Sequence, residues 1–500
     1  MTSDISALAE KAREVQKTWE KLSYNERTSY IKKAGKCLAA KREKIIEIIQ
    51  KENGKLAIDA LAAEVIPALM AVPYYISLGK RLCKSRTVRG GNLLMAYKRS
   101  RMVYAPWGVV GIISPWNYPF SIPFSEVIMA LLAGNAVILK TASLTPGAGG
   151  IISEIFDEAG LPDRLFTNVE MTGKEAGPAF INGGIDKLFF TGSTAVGKEL
   201  MALASARLLP LSLELGGADA VIVCKDADID RAVSGIIWAG FSNAGQSCGG
   251  VQRVLIHNDI YDKFLEKLKT KTEALQPGID LGRLSSKKAK DEYLKQIEDC
   301  LSQGAQIAAQ SGAFKTSDRE NADSLQYESL FVPAVVLTNI KKGMPVFDDE
   351  IFGPAVGVLP FNDEADALNA ANSSSYALTG SVWSRNRKKA KKLAGLVNAG
   401  SVMINDHLMS HGLAQTPWGG FGDSGLGKTH GEEGFREMLK AKVIIDDILP
   451  GAKREPWWQP YSQNVFKGLS ALGILLGGTM IKKIASLPSV IKFFMLTWKK

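Results

Sequence analysis

One stretch carries the residue type best suited to covalent chemistry: Asn243-Ala244-Gly245-Gln246-Ser247-Cys248-Gly249-Gly250. A single thiol sits among small residues, between the apolar run Ile236 to Phe241 and the strand-like Val251 to Ile256. Small neighbours let a substrate and the backbone approach the sulfur closely. Taken alone, the stretch reads equally well as a turn holding a buried cysteine, because free Cys commonly packs as a small hydrophobe. Upstream, Leu213-Glu214-Leu215-Gly216-Gly217 places a lone carboxylate in an apolar segment and follows it with a glycine pair. A buried carboxylate near a thiol points to general-base chemistry. A third stretch, Phe190-Thr191-Gly192-Ser193-Thr194-Ala195-Val196-Gly197, joins an apolar strand to a helix. A Gly/Ser turn at a helix N-terminus suits a phosphate, which meets free N–H groups and the positive end of the dipole. The turn lacks the GxGxxG pattern, and by itself it reads equally well as a plain connection.

The elements that must hold these residues alternate. Residues 1 to about 80 read as helical, with a capping box at Ser23-x-x-Glu26 before the face Tyr30, Ile31, Ala34, Leu38, and a helix from Lys44 to Lys51 ending near Asn53-Gly54. Residues 93–105 read as extended. Buried strands follow at Val109–Ile113, Ala136–Lys140, Lys187–Phe190 and Ala220–Val223, separated by helical segments. After Cys248 a second alternating set runs through Val251–Ile256, Phe331–Leu337, Ala355–Pro360, Gly380–Trp383 and Ser401–Ile404, and residues 311–326 read as a polar surface loop. Apolar strands alternating with helices predict an α/β fold with two doubly wound, Rossmann-like lobes.

Composition excludes several classes. The chain has 500 residues, 46% hydrophobic and 22% charged, as in an ordinary globular protein. Five cysteines in no paired spacing, with no CxxC and no signal peptide, predict free thiols in a reducing, cytoplasmic setting. The four histidines form no metal-ligand cluster by spacing, so no metal is expected. Of the net charge of +10, six lysines without any acid lie between Pro456 and Lys500, leaving +4 for the rest. With no aromatic-interleaved basic stripe, nucleic acid is not an expected partner.

Read together, the motifs resemble the aldehyde dehydrogenase superfamily. The match runs in order through Pro115-Trp116-Asn117-Tyr118-Pro119, Gly134-Asn135-Ala136-Val137-Ile138-Leu139-Lys140, Phe190–Gly197, Leu213–Gly217 and Gly245-Gln246-Ser247-Cys248. It continues through Glu350-Ile351-Phe352-Gly353-Pro354 and Pro417-Trp418-Gly419-Gly420-Phe421, and it covers roughly residues 1 to 450. The resemblance implies NAD or NADP as cofactor and a homodimer or homotetramer. It implies a cofactor-binding domain (1–93 and 107–216), a catalytic domain (217–436) and oligomerisation strands (94–106 and 437–450). It implies Cys248 as nucleophile, Asn117 as oxyanion donor and Glu214 as the base that activates water. Trp116, Lys140, Ser143, Gly192, Ser193, Gly197, Glu350 and Phe352 are implied as cofactor contacts. Where the family often has Lys-Pro-Ser-Glu, this chain has Lys140-Thr141-Ala142-Ser143; without that acid, a 2′-phosphate meets no repulsion. Gly282-Arg283 stands where Gly-Pro is common.

The resemblance ends near Leu449, with a boundary at Pro450-Gly451. In the tail, Val465, Leu469, Leu472, Leu476 and Met480 fall on one helical face, and Ile491, Phe494, Met495 and Trp498 repeat the spacing after Pro488. The longest uncharged run, Gly468 to Ile481, is shorter than the roughly 20 residues that span a bilayer. An amphipathic, lysine-rich tail over residues 464–500 predicts peripheral attachment to a membrane surface. The expected activity is therefore oxidation of an apolar medium- or long-chain aldehyde. A semialdehyde dehydrogenase of the succinate-semialdehyde kind and a cofactor-independent thiol esterase are the alternatives.

Overall fold

The strand Val109–Ile113 is buried at every residue, and so is Ala136–Lys140 beside it, because helices cover both faces of their sheet. The structure, a computed structural model, describes residues 4–88, 95–312, 330–448, 451, 453–455 and 457–495. The described residues of 1–84 and 104–440 form one unit, and those of 85–103 and 441–500 form a second. The expected loop at 311–326, apart from Ser311 and Gly312, lies outside the described residues, as do Leu94, Pro450 and Trp498.

In the first unit, one sheet has six strands in the order Gly425–Leu426, Leu211–Glu214, Lys187–Thr191, Val109–Ile113, Ala136–Lys140, Phe166–Asn168. All run parallel except Gly425–Leu426. The helix Ser121–Ala133 is buried along its whole length against it. The N-terminal helices pack into the same core, and Trp19 Nε1 donates to the Leu131 carbonyl at 2.9 Å. Their ends follow the local signals. Ser23 and Glu26 form the reciprocal capping box, and the helix Arg42–Asn53 stops at Gly54 with φ 89°. Arg283 donates to the Lys51 carbonyl at that helix end, which gives the unusual Gly-Arg pair a structural use.

A second sheet has seven strands in the order Gln306–Gln310, Val335–Thr338, Ala355–Phe361, Val251–His257, Asp219–Val223, Thr379–Trp383, Ser401–Ile404. Only Gln306–Gln310 is antiparallel. That edge strand and the helix Lys287–Ser302 before it go beyond what the sequence pattern predicted. The C-terminal ends of the first sheet's strands lead into Pro115–Asn117, Gly192–Ser193 and Gly216–Gly217. The N-terminal ends of the second sheet's strands receive Cys248 and Glu350. The C-terminal strand ends of the first sheet are where open α/β sheets bind ligands.

Most residues of a three-stranded sheet ordered Arg86–Val88, Lys98–Pro106, Leu439–Asp447 belong to the second unit. Lys98 bridges Asp447 at 2.6 Å and also pairs with Glu455. Its tail forms two helices, Gln463–Gly477 and Met480–Met495. The expected single apolar face is corrected here. Val465, Gly468, Ala471 and Leu472 face the partner helix, whereas Leu469, Leu476 and Met480 are exposed. The break falls at Gly478-Thr479, and Pro488 lies inside the second helix.

Candidate active site

The thiol is delivered by a strained turn. After the helix Ile229–Phe241, Asn243 and Ala244 take left-handed φ values of 51° and 53°, and Gly245 follows at 70°. A Cβ on Gly245 would lie 2.2 Å from the Gly353 carbonyl oxygen, so glycine is required there by conformation and by space. Left-handed backbone at Ala244 is costly and persists only where its surroundings hold it. Asn243 does so: its Nδ2 donates to the carbonyls of Gln246 (3.0 Å) and Asn117 (3.1 Å). On the other side of the thiol, a Cβ on Gly217 would lie 2.3 Å from the Cys248 carbonyl oxygen, so the glycine after Glu214 lets the two turns meet.

Cys248, Glu214 and Asn117 line one cleft of about 500 Å³. Trp116, Gly192, Ser193, Glu350 and Phe352 line it too, with Trp116 and Phe352 edge to face at 5.4 Å. Three of the other expected contacts sit differently. Lys140 is buried at the end of its strand, beyond the cleft lining. Ser143 is exposed, its hydroxyl donating to the Met171 carbonyl at 3.3 Å. Gly197 packs beneath Leu215, where a Cβ would lie 2.5 Å from a methyl carbon. The sequence reading missed the helix Lys287–Ser302, which adds Glu292, Tyr293, Lys295, Gln296 and Asp299 to the wall. The buried positions Tyr293, Ile297 and Cys300 of that helix carry an i, i+4, i+7 signal that could have found it.

The electrostatics separate the groups by task. Burial, then the nearby carboxyls of Glu350, Asp219 and Glu214, pushes the Cys248 thiol far above its ordinary range. Glu214 is buried, and among the described residues neither side-chain oxygen has a hydrogen-bond partner. The Thr429 N–H points toward it but is committed to the Trp418 carbonyl at 2.8 Å. Burial raises Glu214 well above the carboxylate range; Lys428 pulls it down and Glu126 pushes it up. A carboxyl with free lone pairs beside a thiol is built to take a proton from water. Burial raises Glu350 to about 7, offset by the Gly217 N–H at 3.2 Å. Asn117 Nδ2 donates to the Gln246 carbonyl at 3.3 Å, a long bond that a stronger acceptor can replace.

His407 takes a structural position. It reaches the nucleophile turn, but Nε2 lies 3.1 Å from the Gly249 carbonyl and Nδ1 lies 2.9 Å from the Ser381 hydroxyl. Burial lowers it to about 4, so it stays neutral, with both nitrogens engaged. Among the described residues no group of three or more His, Cys, Asp or Glu could hold a metal.

The aldehyde dehydrogenase family model matches residues 1–444. A 4,4'-diapolycopene aldehyde oxidase of Methylomonas sp. is 33% identical over 463 residues, covering 91% of this chain and 84% of that protein. A Mycobacterium ulcerans (strain Agy99) protein with the provisional name succinate-semialdehyde dehydrogenase NADP(+) 2 is 34% identical, covering 88% and 84%. Among solved structures, an aldehyde dehydrogenase from Bacillus cereus in complex with NAD+ superposes with a TM-score of 0.81 at 30% identity, over 89% of each chain. With its thiol, carboxyl and amide gathered in one cleft between two α/β sheets, the chain belongs to the aldehyde dehydrogenase family.

Proposed function

We propose that the protein oxidises an apolar medium- or long-chain aldehyde to its carboxylic acid, with Cys248 as nucleophile and Glu214 as the base for hydrolysis. The observation that carries this is the shared cleft: thiol, unpartnered carboxyl and side-chain amide face one space. Cys248 sulfur adds to the aldehyde carbon, and its proton leaves to solvent. The resulting oxyanion accepts from Asn117 Nδ2 and the Cys248 N–H. NAD+ or NADP+ would be held in this cleft and would supply the acceptor for the hydrogen that leaves the aldehyde carbon with its electron pair. Glu214 then takes a proton from water as the water oxygen attacks the thioester, and the thiolate departs from the acid.

The residues fit a dinucleotide. Lys140 is buried with no ion-pair or hydrogen-bond partner among the described residues, a donor ready for ribose hydroxyls. Gly192 and Ser193 line the cleft at the N-terminus of the helix Thr194–Ser205, whose first-turn N–H groups serve the pyrophosphate, while the Gly192 N–H donates to the Glu214 carbonyl at 3.0 Å. Glu350 and Phe352 hold the nicotinamide side. On this reading the first sheet serves the cofactor and the second carries the thiol. Aldehyde-dependent reduction of each cofactor, followed by ultraviolet absorbance with and without coenzyme A, tests the reading. It fails if no aldehyde supports reduction, or if coenzyme A is obligatory. Because Ser143 puts no acid where a 2′-phosphate would sit, both cofactors are expected to work. A kcat/KM ratio above roughly 10³ in favour of NAD, worth about 4 kcal/mol, would contradict that.

The tail supports the substrate class. Phe466, Leu476, Met480, Ile481, Ile484, Ile491 and Met495 are exposed on the helical pair, with Lys482 and Lys483 beside them. The two helices are about 23 Å and 24 Å long, short of a bilayer's hydrocarbon core of about 30 Å. Such a surface lies in the interface, where apolar aldehydes collect. The exposed strand Leu439–Asp447, an outer strand of its sheet, serves a dimer contact on the same reading. Deleting residues 464–500 is expected to release the protein from anionic liposomes while leaving hexanal oxidation and dimer mass by light scattering unchanged. Unfolding or loss of the dimer in the truncated protein would make the tail part of the fold. The semialdehyde alternative draws on the Mycobacterium ulcerans relative's name, and a clear preference for succinate semialdehyde over octanal would establish it.

A further inference from the structure

Beneath the cleft lies a buried ion pair that the reaction above does not use. The Lys55 and Glu64 side chains are both fully buried and bonded to each other, Lys55 Nζ to Glu64 Oε1. The Lys55 ammonium also donates to the Asn117 carbonyl at 2.5 Å and lies 4.0 Å from the centre of the Tyr118 ring. Its three N–H bonds thus face a carboxylate, a carbonyl and an aromatic face, which together replace the water it lost. Glu64 uses its other oxygen, Oε2, to accept from the N–H groups of Phe120 (3.1 Å) and Ser121 (2.8 Å). These open the helix Ser121–Ala133, whose own N-cap, Phe120, offers no side-chain bond. A carboxylate there satisfies orphan donors at the positive end of the dipole.

The same segment grips the other half of the site. Asp59 Oδ2 accepts from the Asn243 N–H at 3.2 Å, at the left-handed start of the nucleophile turn. In an uninterrupted α-helix, residues five apart point about 140° away from each other. Here the turn Leu61–Val65 is π-helical, and the wider turn brings Glu64 round toward the side that carries Asp59. Asn243 closes the circle by donating to the Asn117 carbonyl that Lys55 also holds. The Asn117 loop and the Cys248 turn are therefore fixed to one short segment, Lys55 to Glu64.

We propose that the buried Lys55–Glu64 pair is the positioning element of the oxyanion pocket, clamping the Asn117 loop so that its side-chain amide is aimed at the carbon bound to Cys248. This rests on the donor role given to Asn117 above. Neither residue of the pair touches the reacting atoms; each acts through the backbone of residues 117–121. A pair that served stability alone would differ from a clamp in how its loss combines with loss of the Asn117 amide.

The test is a double-mutant cycle read in single-turnover reduction of NAD+ by hexanal. Asn117→Ala is expected to slow that step by about 10²–10³-fold. Lys55→Met is expected to slow it by about 10–10²-fold, and the two together no further than Asn117→Ala alone, within about 2-fold, because a clamp without an amide to aim has nothing left to lose. Should Lys55→Met fail to fold, Glu64→Gln takes its place in the cycle: it keeps the side chain's volume and an acceptor for Phe120 and Ser121 while removing the countercharge. A wild-type rate in Lys55→Met, or losses that multiply in full, overturns the clamp alone. A wild-type rate in Asn117→Ala removes the amide from oxyanion stabilisation, and the clamp's purpose with it.

Discussion

Cys248→Ala is expected to abolish aldehyde oxidation, by about 10⁴-fold or more, while the protein stays folded and still binds its cofactor. The argument is one of access. Of the five free thiols, Cys224 and Cys300 are buried, and Cys37 and Cys83 pack against the N-terminal core; Cys248 lines the cleft. The turn that presents it is held by Asn243, Gly245 and the Gly217 approach, none of which involves the sulfur, so its removal leaves the scaffold intact. A companion measurement is alkylation by iodoacetamide, mapped by mass spectrometry. The reactive form is the thiolate, and burial with three nearby carboxyls holds Cys248 in its neutral form. Labelling of the protein without cofactor should therefore be slow at neutral pH. It should still be climbing above the ordinary thiol pKa of about 8.5. Substantial turnover in Cys248→Ala would end its assignment as the nucleophile.

What the sequence made legible was contiguous. The thiol, the acid and the Trp116-Asn117 loop each stand in a short run of glycines, prolines and small residues, because close backbone approach demands such residues locally. Helix ends at Ser23–Glu26 and Gly54 were legible for the same reason: a cap is a local bargain between side chain and backbone. Features built from distant residues were not. The helix Lys287–Ser302 shows only three buried positions among many charges, so its contribution to the cleft is invisible without the partner surface. Lys55 and Glu64 are nine apart across a π turn, outside any regular helical spacing. In the helix Gln463–Gly477 apolar residues stand on more than one face, so periodicity alone could not choose among them. Packing chose the stripe with Gly468 and Ala471, where a Cβ on Gly468 would lie 2.4 Å from Phe493, and left Leu469 and Leu476 outside.

Glu214→Gln is expected to give one fast turnover and then stall. Reduced cofactor should appear in a burst near one per site, followed by a steady rate about 10²–10⁴-fold below wild type. The substitution keeps the shape of the side chain, so the thiol and Asn117 are undisturbed; what it removes is the proton acceptor. Hydroxylamine, which attacks a thioester without help from a base, should restore turnover in the variant and barely affect wild type. The pH dependence follows from the raised pKa. The base works only when deprotonated, so wild-type deacylation should rise with pH across a range lying above the ordinary glutamate value of about 4.3, and the variant should lack that limb. Stability carries the opposite sign. The folded carboxyl keeps its proton to higher pH than the unfolded one, so the folded state binds more protons in that window and wild-type stability falls as pH rises through it. The difference in melting temperature between wild type and Glu214→Gln should therefore move in the variant's favour with rising pH, a readout independent of catalysis. A full steady-state rate without a burst would take Glu214 out of deacylation, and a pH-independent stability difference would mean that its carboxyl titrates as it does in the unfolded chain.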